Sequence, residues 1–316
     1  MKAIAGLLGG LVLLGGCASA PPRPDVPQVD YHQHLVSPTF APIVKFPVRD
    51  GRALVAMLDA AGVRRAVVLS VGYSLADERK KLPDPARQTH DENDWTSAQV
   101  AASHGRLIGF CSVNPLRPEA LDEIERCLKL PGMRGLKLHF GNSGVSLRNP
   151  AHAERMAEVF ALAGRHRTPI LVHMRARGGT DFGAEDARLF LDKLVPKAPD
   201  SEIVIAHFGG AGPGYPDQAD EVMGVFADAI QRGDPRTRNL YFDVATILTA
   251  DSPPEDRTRI AQRIRQVGAR RVLYGSDLIP DTGPSITETW ALYRTSLGLT
   301  PAELRTIAGN RTRFSR

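Results

Sequence analysis

The chain has 316 residues, of which 42% are hydrophobic and 24% charged, and this composition excludes fibrous, repetitive and broadly disordered proteins. Its formal net charge of +5 comes from scattered arginines rather than from a run of Lys and Arg, which argues against a nucleic-acid partner. Length and composition therefore favour one large globular domain.

The first predicted element is an export signal. Lys2 precedes an apolar stretch at residues 3–14, which is too short to span a bilayer core that needs about 20 residues. The segment that ends at Cys17 resembles the lipobox of bacterial lipoproteins, in which this cysteine is lipidated. The alternative is an ordinary cleaved signal. We favour a lipoprotein, because small residues precede the cysteine. Ala18 follows Cys17, and the resemblance then implies sorting to the outer membrane, with the domain facing the periplasm.

Residues 18–27 contain four prolines and no apolar periodicity, which predicts an extended tether, so the folded domain is residues 28–316. Two cysteines remain in this domain, Cys111 in a predicted strand and Cys127 in the following helix. Export permits a disulfide between them. Two cysteines without a framework spacing nevertheless favour free buried thiols.

The domain alternates short β-branched runs with longer amphipathic stretches about every 35 residues, which is typical of βα units in a parallel sheet. Eight strands with helical crossovers predict an α/β protein with a closed (β/α)₈ TIM barrel. An open doubly wound sheet is the alternative, although no Gly-rich phosphate fingerprint follows the first strand. The predicted strands are residues 29–32, 66–71, 107–113, 134–139, 169–174, 202–207, 239–244 and 271–274.

One connection is unusually long. Residues 72–94 are polar, contain Pro83 and Pro85, and follow the second predicted strand. Loops of this length in compact domains are usually functional or disordered. We predict either a lid over the catalytic end of the barrel or a solvated insertion without a role.

Titratable residues end several predicted strands, where barrel enzymes collect catalytic groups. Because side chains alternate along a strand, His32 and His34 point to the same side of the first strand. A pair of histidines at a strand end seldom has a purely structural role, so it predicts a metal site. Imidazole nitrogen is a ligand that suits zinc. His173 ends the fifth strand, His207 the sixth and Asp277 the eighth.

This order of histidines and aspartate resembles the amidohydrolase superfamily, and in particular the amidohydrolase-related branch that includes aminocarboxymuconate-semialdehyde decarboxylase and several lactone hydrolases. The agreement runs from Asp30 to Arg313 and includes the segments at residues 135–139 and 207–210. The resemblance implies a TIM barrel that holds one divalent metal, which we expect to be Zn²⁺. The ligands that it implies are His32, His34, His173 and Asp277.

The remaining catalytic roles follow from the same residues. Asp277 would accept a proton as a metal-activated water attacks the substrate. His207 would bind that water or polarise the substrate without binding the metal. In two-metal members of the superfamily a carboxylated lysine bridges the metals, and Lys137 with His207 would then be ligands of a second metal. We favour the mononuclear site.

Arg175 and Arg177 follow His173 closely, which predicts a position at the rim of the metal pocket. A guanidinium there can bind a substrate carboxylate in bidentate fashion. The alternative for each is a solvated loop arginine.

The leading hypothesis is hydrolysis of a small, carboxylate-bearing ester, lactone or amide in the periplasm. Non-oxidative decarboxylation of a small unsaturated or aromatic acid is the alternative, but in the resembling family it belongs mostly to cytoplasmic catabolism. A lipid-anchored binding protein without turnover is a third hypothesis, which predicts a lost ligand that this sequence does not show. The expected partners are a small-molecule substrate and the membrane, and the sequence leaves open whether the chain forms a homodimer.

Overall fold

The computed structural model describes residues 26–175, 182–278, 280 and 283–316. The predicted lipidation site Cys17, residues 18–25 of the predicted tether and the predicted substrate-binding Arg177 lie outside these described residues. Among the described residues, none of the helices combines the length and the apolar character needed to cross a membrane.

Eight parallel strands form one sheet in which each strand pairs with the next along the chain, from β1 to β8. Two backbone hydrogen bonds of 2.8 Å join β1 to the end of β8 and so close the sheet into a barrel. Tyr31 N–H donates to the carbonyl of Tyr274, and Asp277 N–H donates to the carbonyl of His32. The predicted (β/α)₈ TIM barrel is therefore confirmed. The strands are Val29–Gln33 (β1), Arg65–Leu69 (β2), Leu107–Ser112 (β3), Met133–His139 (β4), Ile170–His173 (β5), Ile203–Ile205 (β6), Leu240–Asp243 (β7) and Val272–Leu273 (β8).

Helices cover the outside of the sheet, and most begin with a local signal. Asp50 caps one helix by accepting the N–H of Ala53, and Ser285 and Thr300 each form a capping box. The longer helices are Gly51–Ala61, Pro85–Ala101, Ala120–Cys127, Pro150–Arg165, Ala184–Leu189, Asp217–Gln231, Pro254–Val267, Ile286–Ser296 and Pro301–Gly309. Shorter helical segments are Ala41–Val44, Gly72–Leu75, Glu78–Lys80, Phe140–Ser143, Phe190–Leu194, Val195–Lys197, Ala206–Gly209, Pro235–Asn239, Ala269–Arg271 and Arg313–Ser315.

The alternation of side chains along the strands divides the core into two layers. Val67 and Leu69 of β2 pack inside the barrel, whereas Ala66 and Val68 pack outward against the helices. Phe314 joins the inner layer, and its ring centroid lies 5.2 Å from that of Phe110. The last turn of the chain therefore closes the end of the barrel at which the strands begin.

Residues 72–94 are mostly helical, so the prediction of a long loop was wrong. The helix Pro85–Ala101 begins inside this segment, where Asp84 accepts the N–H of Arg87 and Pro85 occupies the first turn. Proline suits that position because its missing N–H would have no helical partner there. Asn93 is buried and donates to the carbonyl of Ser112, which ties this helix to β3.

The two cysteines of the domain form a disulfide, so the prediction of free thiols was wrong. Cys111 lies in β3, and Cys127 ends the helix that follows this strand. Their Cα atoms are 6.0 Å apart although 16 positions separate them in sequence. The helix packs back onto its own strand, and spacing along the chain does not reveal this contact.

Candidate metal centre

The carboxyl ends of the strands meet at one end of the barrel and bring the predicted site residues together. They line one cavity of about 490 Å³, and all are buried or half-buried. The predicted residues in its lining are His32, His34, Lys137, His173, His207 and Asp277.

Three side chains are arranged to hold a metal ion. One donor atom each from His32, His207 and Asp277 lie within 4.8 Å of one another. His32 and Asp277 belong to the predicted ligand set, whereas His207 was predicted as a catalytic group or as a ligand of a second metal. His34 Nε2 lies 3.8 Å from Asp277 Oδ1, and the ring of His173 lies 5.0 Å from that of His207. All five predicted residues thus surround one point, but only three of them form the compact group.

In three of the histidine rings a hydrogen bond at Nδ1 leaves Nε2 as the nitrogen that can bind a metal. Nδ1 of His34 donates to the carbonyl of Leu69 at 2.7 Å, and Nδ1 of His207 donates to the carbonyl of Ala245 at 2.9 Å. Because a carbonyl only accepts, each neutral ring must carry its proton on Nδ1 and present a lone pair at Nε2. Nδ1 of His32 lies 2.9 Å from Asp243 Oδ2, the carboxylate partner typical of a metal-binding histidine. The donor set therefore fits a divalent metal.

Burial keeps the rings of His32, His34 and His173 neutral, as metal binding requires. It lowers the pKa of His34 to about 4 and those of His32 and His173 well below their ordinary value. Burial alone would raise the pKa of Asp277, but the nearby histidines and Lys137 favour the carboxylate and lower it. The centre therefore combines neutral nitrogen donors with one ionised oxygen donor.

Lys137 is fully buried on β4, and its ammonium faces two carboxylates. Burial lowers the pKa of Lys137 to about 8, although Asp243 and Asp277 oppose this shift. The lysine is thus the cation in the floor of the cavity. Its predicted role as a carboxylated ligand of a second metal stays a prediction.

The backbone at the ends of three strands is held in a strained form. Left-handed φ angles occur at His207 (51°), Phe208 (50°), Thr246 (52°) and Asp277 (45°). Such residues cost on the order of 1–3 kcal/mol each and cluster at active sites. Gly212 must be glycine beside them, because a Cβ there would collide with Oγ1 of Thr246. The strain aims His207 and Asp277 into the cavity.

The cavity has an apolar wall and a cationic wall. The apolar wall comes from residues 35–46 and includes Phe40. The cationic wall comes from the 72–94 segment, where Lys80 donates to Oγ of Ser74 and Arg79 pairs with Asp77 at 2.7 Å. Nζ of Lys80 lies 5.3 Å from the ring centre of Phe40, so the two walls meet.

Several residues of this site were not predicted from the sequence. Asp243 ends β7 and His139 ends β4, and a search of every strand end for titratable residues would have found both. The ring of His139 stacks on that of His173 at 3.9 Å. Lys80 does not end a strand, so this search would not have found it. Arg175 is half-buried but is not part of the cavity lining, so its role in substrate binding stays a prediction.

Solved structures with the same fold cover most of this chain at low identity. The decarboxylase of 5-carboxyvanillate LigW from Sphingomonas paucimobilis matches at 16% identity and a TM-score of 0.60, over 90% of this chain and 97% of its own. The 4-oxalomesaconate hydratase LigJ from Rhodopseudomonas palustris matches at 17% and 0.59, over 89% and 93%. A probable 2-pyrone-4,6-dicarboxylic acid hydrolase from Acinetobacter baumannii matches at 14% and 0.53, over 90% and 96%. These likenesses show the fold alone.

A comparison with curated proteins finds no match. A family model described as amidohydrolase matches residues 29–310, which is most of the chain. Members of this family use divalent metals, and the group of His32, His207 and Asp277 can hold one. With the barrel, the metal-binding group and this match, the chain belongs to the amidohydrolase family of enzymes.

Proposed function

We propose that the protein is a metal-dependent hydrolase of a small carboxylate-bearing ester, lactone or amide, with one Zn²⁺ at the strand ends. A divalent metal bound there acts as a Lewis acid that polarises a carbonyl and activates water. The observation that carries the proposal is the position of Asp277, whose carboxylate oxygens lie 3.8 Å from Nε2 of His34 and 4.0 Å from Nε2 of His207.

Asp277 and His207 divide the proton transfers of hydrolysis. The lowered pKa of Asp277 keeps its carboxylate ionised at neutral pH, so it can accept a proton from the attacking water. In this proposal the predicted ligands His32, His34, His173 and Asp277 hold the metal. Nδ1 of His207 is occupied by the carbonyl of Ala245, so its Nε2 is then left for the reacting groups. After accepting a proton at Nε2, His207 can return it to the leaving oxygen or nitrogen. A positioned group of this kind contributes roughly 10²- to 10⁴-fold in rate.

The charge of the cavity supports an anionic substrate. Arg49, Arg79 and Lys80 line it together with the buried Lys137. Arg79 pairs with Asp77, and Lys80 donates to Oγ of Ser74 where the cationic wall meets Phe40 of the apolar wall. We assign the substrate carboxylate to Lys80, with the uncharged body of the substrate against the apolar wall.

Non-oxidative decarboxylation remains the second candidate, and Lys137 is the observation in its favour. Loss of CO₂ leaves an electron pair on carbon that must take up a proton. Lys137 is a fully buried cation in the floor of the same cavity and can stabilise that charge. One of the similar structures, LigW, is named as a decarboxylase.

The first experiment separates these two reactions. Purified protein loaded with one Zn²⁺ is given a panel of lactones, esters, amides and unsaturated or aromatic acids, and both hydrolysis products and CO₂ are measured. We expect hydrolysis without CO₂. Asp277→Asn should retain most of the metal but lose at least about 10²-fold in turnover, because it lacks the basic group. His152→Asn, on a helix away from the cavity, is the matched control. CO₂ release, or near-normal turnover by Asp277→Asn, contradicts the hydrolase.

The second experiment tests the substrate charge. Lys80→Met should raise KM at least about tenfold for a carboxylate substrate and leave its uncharged analogue unaffected, because a lost charge-assisted contact is worth about 1.5–3 kcal/mol. Lys81→Met is the control, since Lys81 is exposed and does not line the cavity. An equal effect on both substrates would reject Lys80 as the carboxylate site.

A further inference from the structure

Basic residues gather at the end of the barrel where the strands begin. The segments that lead into β2–β8, and the C-terminal segment that crosses this end, are residues 62–65, 102–106, 128–134, 165–169, 197–202, 232–239, 268–271 and 310–316. They hold sixteen Lys and Arg against three Asp and Glu, a formal charge of +13, whereas the whole chain carries +5. The rest of the molecule is therefore net negative. We name this end the arginine face.

Most of this charge is free to act on a partner. The three carboxylates of the arginine face are already paired, since Asp200 contacts Arg238 at 2.7 Å, Asp234 contacts Arg236 at 2.6 Å and Glu202 contacts Arg313 at 3.6 Å. Other arginines of the face are exposed and form no ion pair within the described part of the chain. They include Arg64, Arg134, Arg167, Arg270, Arg311 and Arg316.

The N-terminal segment joins the domain at the same face. Gln28 N–H donates to the carbonyl of Ala308 at 2.8 Å, and Val29 is paired with Arg65 at the start of β1 and β2. Residues 1–25, with the apolar stretch and Cys17, are therefore attached beside the arginines. The metal centre lies at the opposite end of the barrel.

We propose that the arginine face binds an anionic lipid surface and holds the mouth of the catalytic cavity away from it. Each Lys or Arg near an anionic bilayer strengthens adsorption about fivefold, and the attraction fades within a Debye length of about 10 Å. Val48 is the exposed large hydrophobic side chain among the described residues, and it lies near the catalytic end. Tyr241 is the aromatic side chain that lies among Glu202, Arg271 and Arg313 of the arginine face, and it is half-buried. The described residues of the face therefore offer no fully exposed aromatic ring on which nucleic-acid bases would stack, which favours lipid.

The test compares vesicles of phosphatidylcholine alone with vesicles that also contain phosphatidylglycerol. The full chain carries Cys17→Ser throughout, so the N-terminal segment contributes equally in every variant. We expect a strong preference for the anionic vesicles at low salt, and its loss at high salt. Arg134→Gln, Arg270→Gln and Arg311→Gln together should weaken anionic binding on the order of 100-fold. Lys45→Gln, Arg52→Gln and Lys81→Gln together remove the same charge near the catalytic end and should have little effect.

The proposal is overturned if the two kinds of vesicle bind equally, or if both triple variants lose binding to the same extent. Tighter binding to duplex DNA than to anionic vesicles, at equal phosphate concentration, would overturn it in favour of nucleic acid. Thermal unfolding of each variant verifies that its fold is intact. No step depends on turnover or on lipidation, so failure of the hydrolase proposal leaves this test valid.

Discussion

Asp243 is a single buried carboxylate that organises three elements around the metal centre. Its Oδ1 accepts the backbone N–H groups of His207 at 2.9 Å and Ala245 at 3.1 Å. Its Oδ2 lies 2.9 Å from Nδ1 of His32. The carboxylate therefore orients one ring of the metal-binding group directly and the backbone of a second one.

We expect Asp243→Asn to lower metal affinity about 10- to 100-fold with little change in fold. The new side chain keeps an oxygen for the two N–H groups but turns an NH₂ group toward His32. That contact favours the ring form with its proton on Nε2, which cannot bind a metal. Competition with a chelator measures the affinity. Asp234→Asn, at the arginine face, is the control, and an equal affinity for both variants would reject the assigned role.

Glu92 is a buried acid away from the metal centre, on the helix Pro85–Ala101. Its side chain accepts a hydrogen bond of 2.6 Å from Oγ of Ser37, and its residue is only 3% exposed. Burial raises the pKa of Glu92 from 4.5 to about 7. The folded state therefore prefers the neutral acid, and ionisation of this group opposes folding.

The sign of the pH effect follows from this shift. The stability due to neutral Glu92 is fully present below pH 4.5 and is lost as the pH rises through about 7. We expect metal-free Glu92→Gln to be more stable than the parent by up to about 3 kcal/mol at pH 8, and nearly equal to it at pH 4. Urea unfolding at both pH values measures this difference. The exposed Glu125→Gln is the control, and a pH-independent difference would contradict the shifted pKa.

At the scale of elements, the disulfide ties β3 to the helix Ala120–Cys127. Cys111 and Cys127 are both fully buried, and the cross-link closes a loop across 16 positions. A cross-link of this span restricts the unfolded chain and is worth about 3 kcal/mol. Formation of the disulfide requires an oxidising compartment, in keeping with the proposed export.

We expect the double variant Cys111→Ala and Cys127→Ala to lose about 3 kcal/mol of unfolding free energy. The parent protein should lose a similar amount in the presence of a reductant, whereas the double variant should not respond to it. Thiol titration of denatured, unreduced Cys17→Ser protein should find no free thiol. Two free thiols in that sample would show that the disulfide does not form.

The 72–94 segment is a second element whose packing bears on function. Its first turns supply Ser74, Asp77, Arg79 and Lys80 to the cavity, while Asn93 anchors its helix to β3. The segment is therefore a built wall of the cavity rather than a solvated loop. Whether it opens and closes as a lid stays a prediction.

At the scale of the whole molecule, the arginine face and the catalytic cavity lie at opposite ends of the barrel. A lipid at Cys17 and the basic surface would then act on the same side and orient the cavity toward the periplasm. Two attachments of this kind reinforce each other, because a single weak anchor leaves the membrane readily.

The anchor itself is tested by Cys17→Ser in the native host. We expect this variant to remain unlipidated and to shift from the membrane fraction to the periplasmic soluble fraction, because the apolar stretch is too short to span the bilayer. Mass spectrometry of the parent protein should find a lipid on Cys17. An unchanged distribution, with no lipid on the parent, would reject the lipoprotein.

Local patterns in the sequence determined the barrel and the positions of its strand ends. All eight strands lie within two residues of their predicted bounds. The histidines at those ends therefore had to meet, because parallel strands in a barrel end on one side. This is why the sequence predicted that His32, His34, His173, His207 and Asp277 lie together, as the cavity lining shows.

Contacts between distant residues were decided only by the tertiary structure. His32 and Asp243 are 211 positions apart, and no local sequence pattern around either residue identifies the other as its hydrogen-bond partner. The same holds for Lys80, whose place in the cavity depends on how its segment packs, and for the pairing of Cys111 with Cys127. Hydrophobic periodicity specifies which face of an element is buried, but the partner of each polar side chain depends on where the crossovers place it.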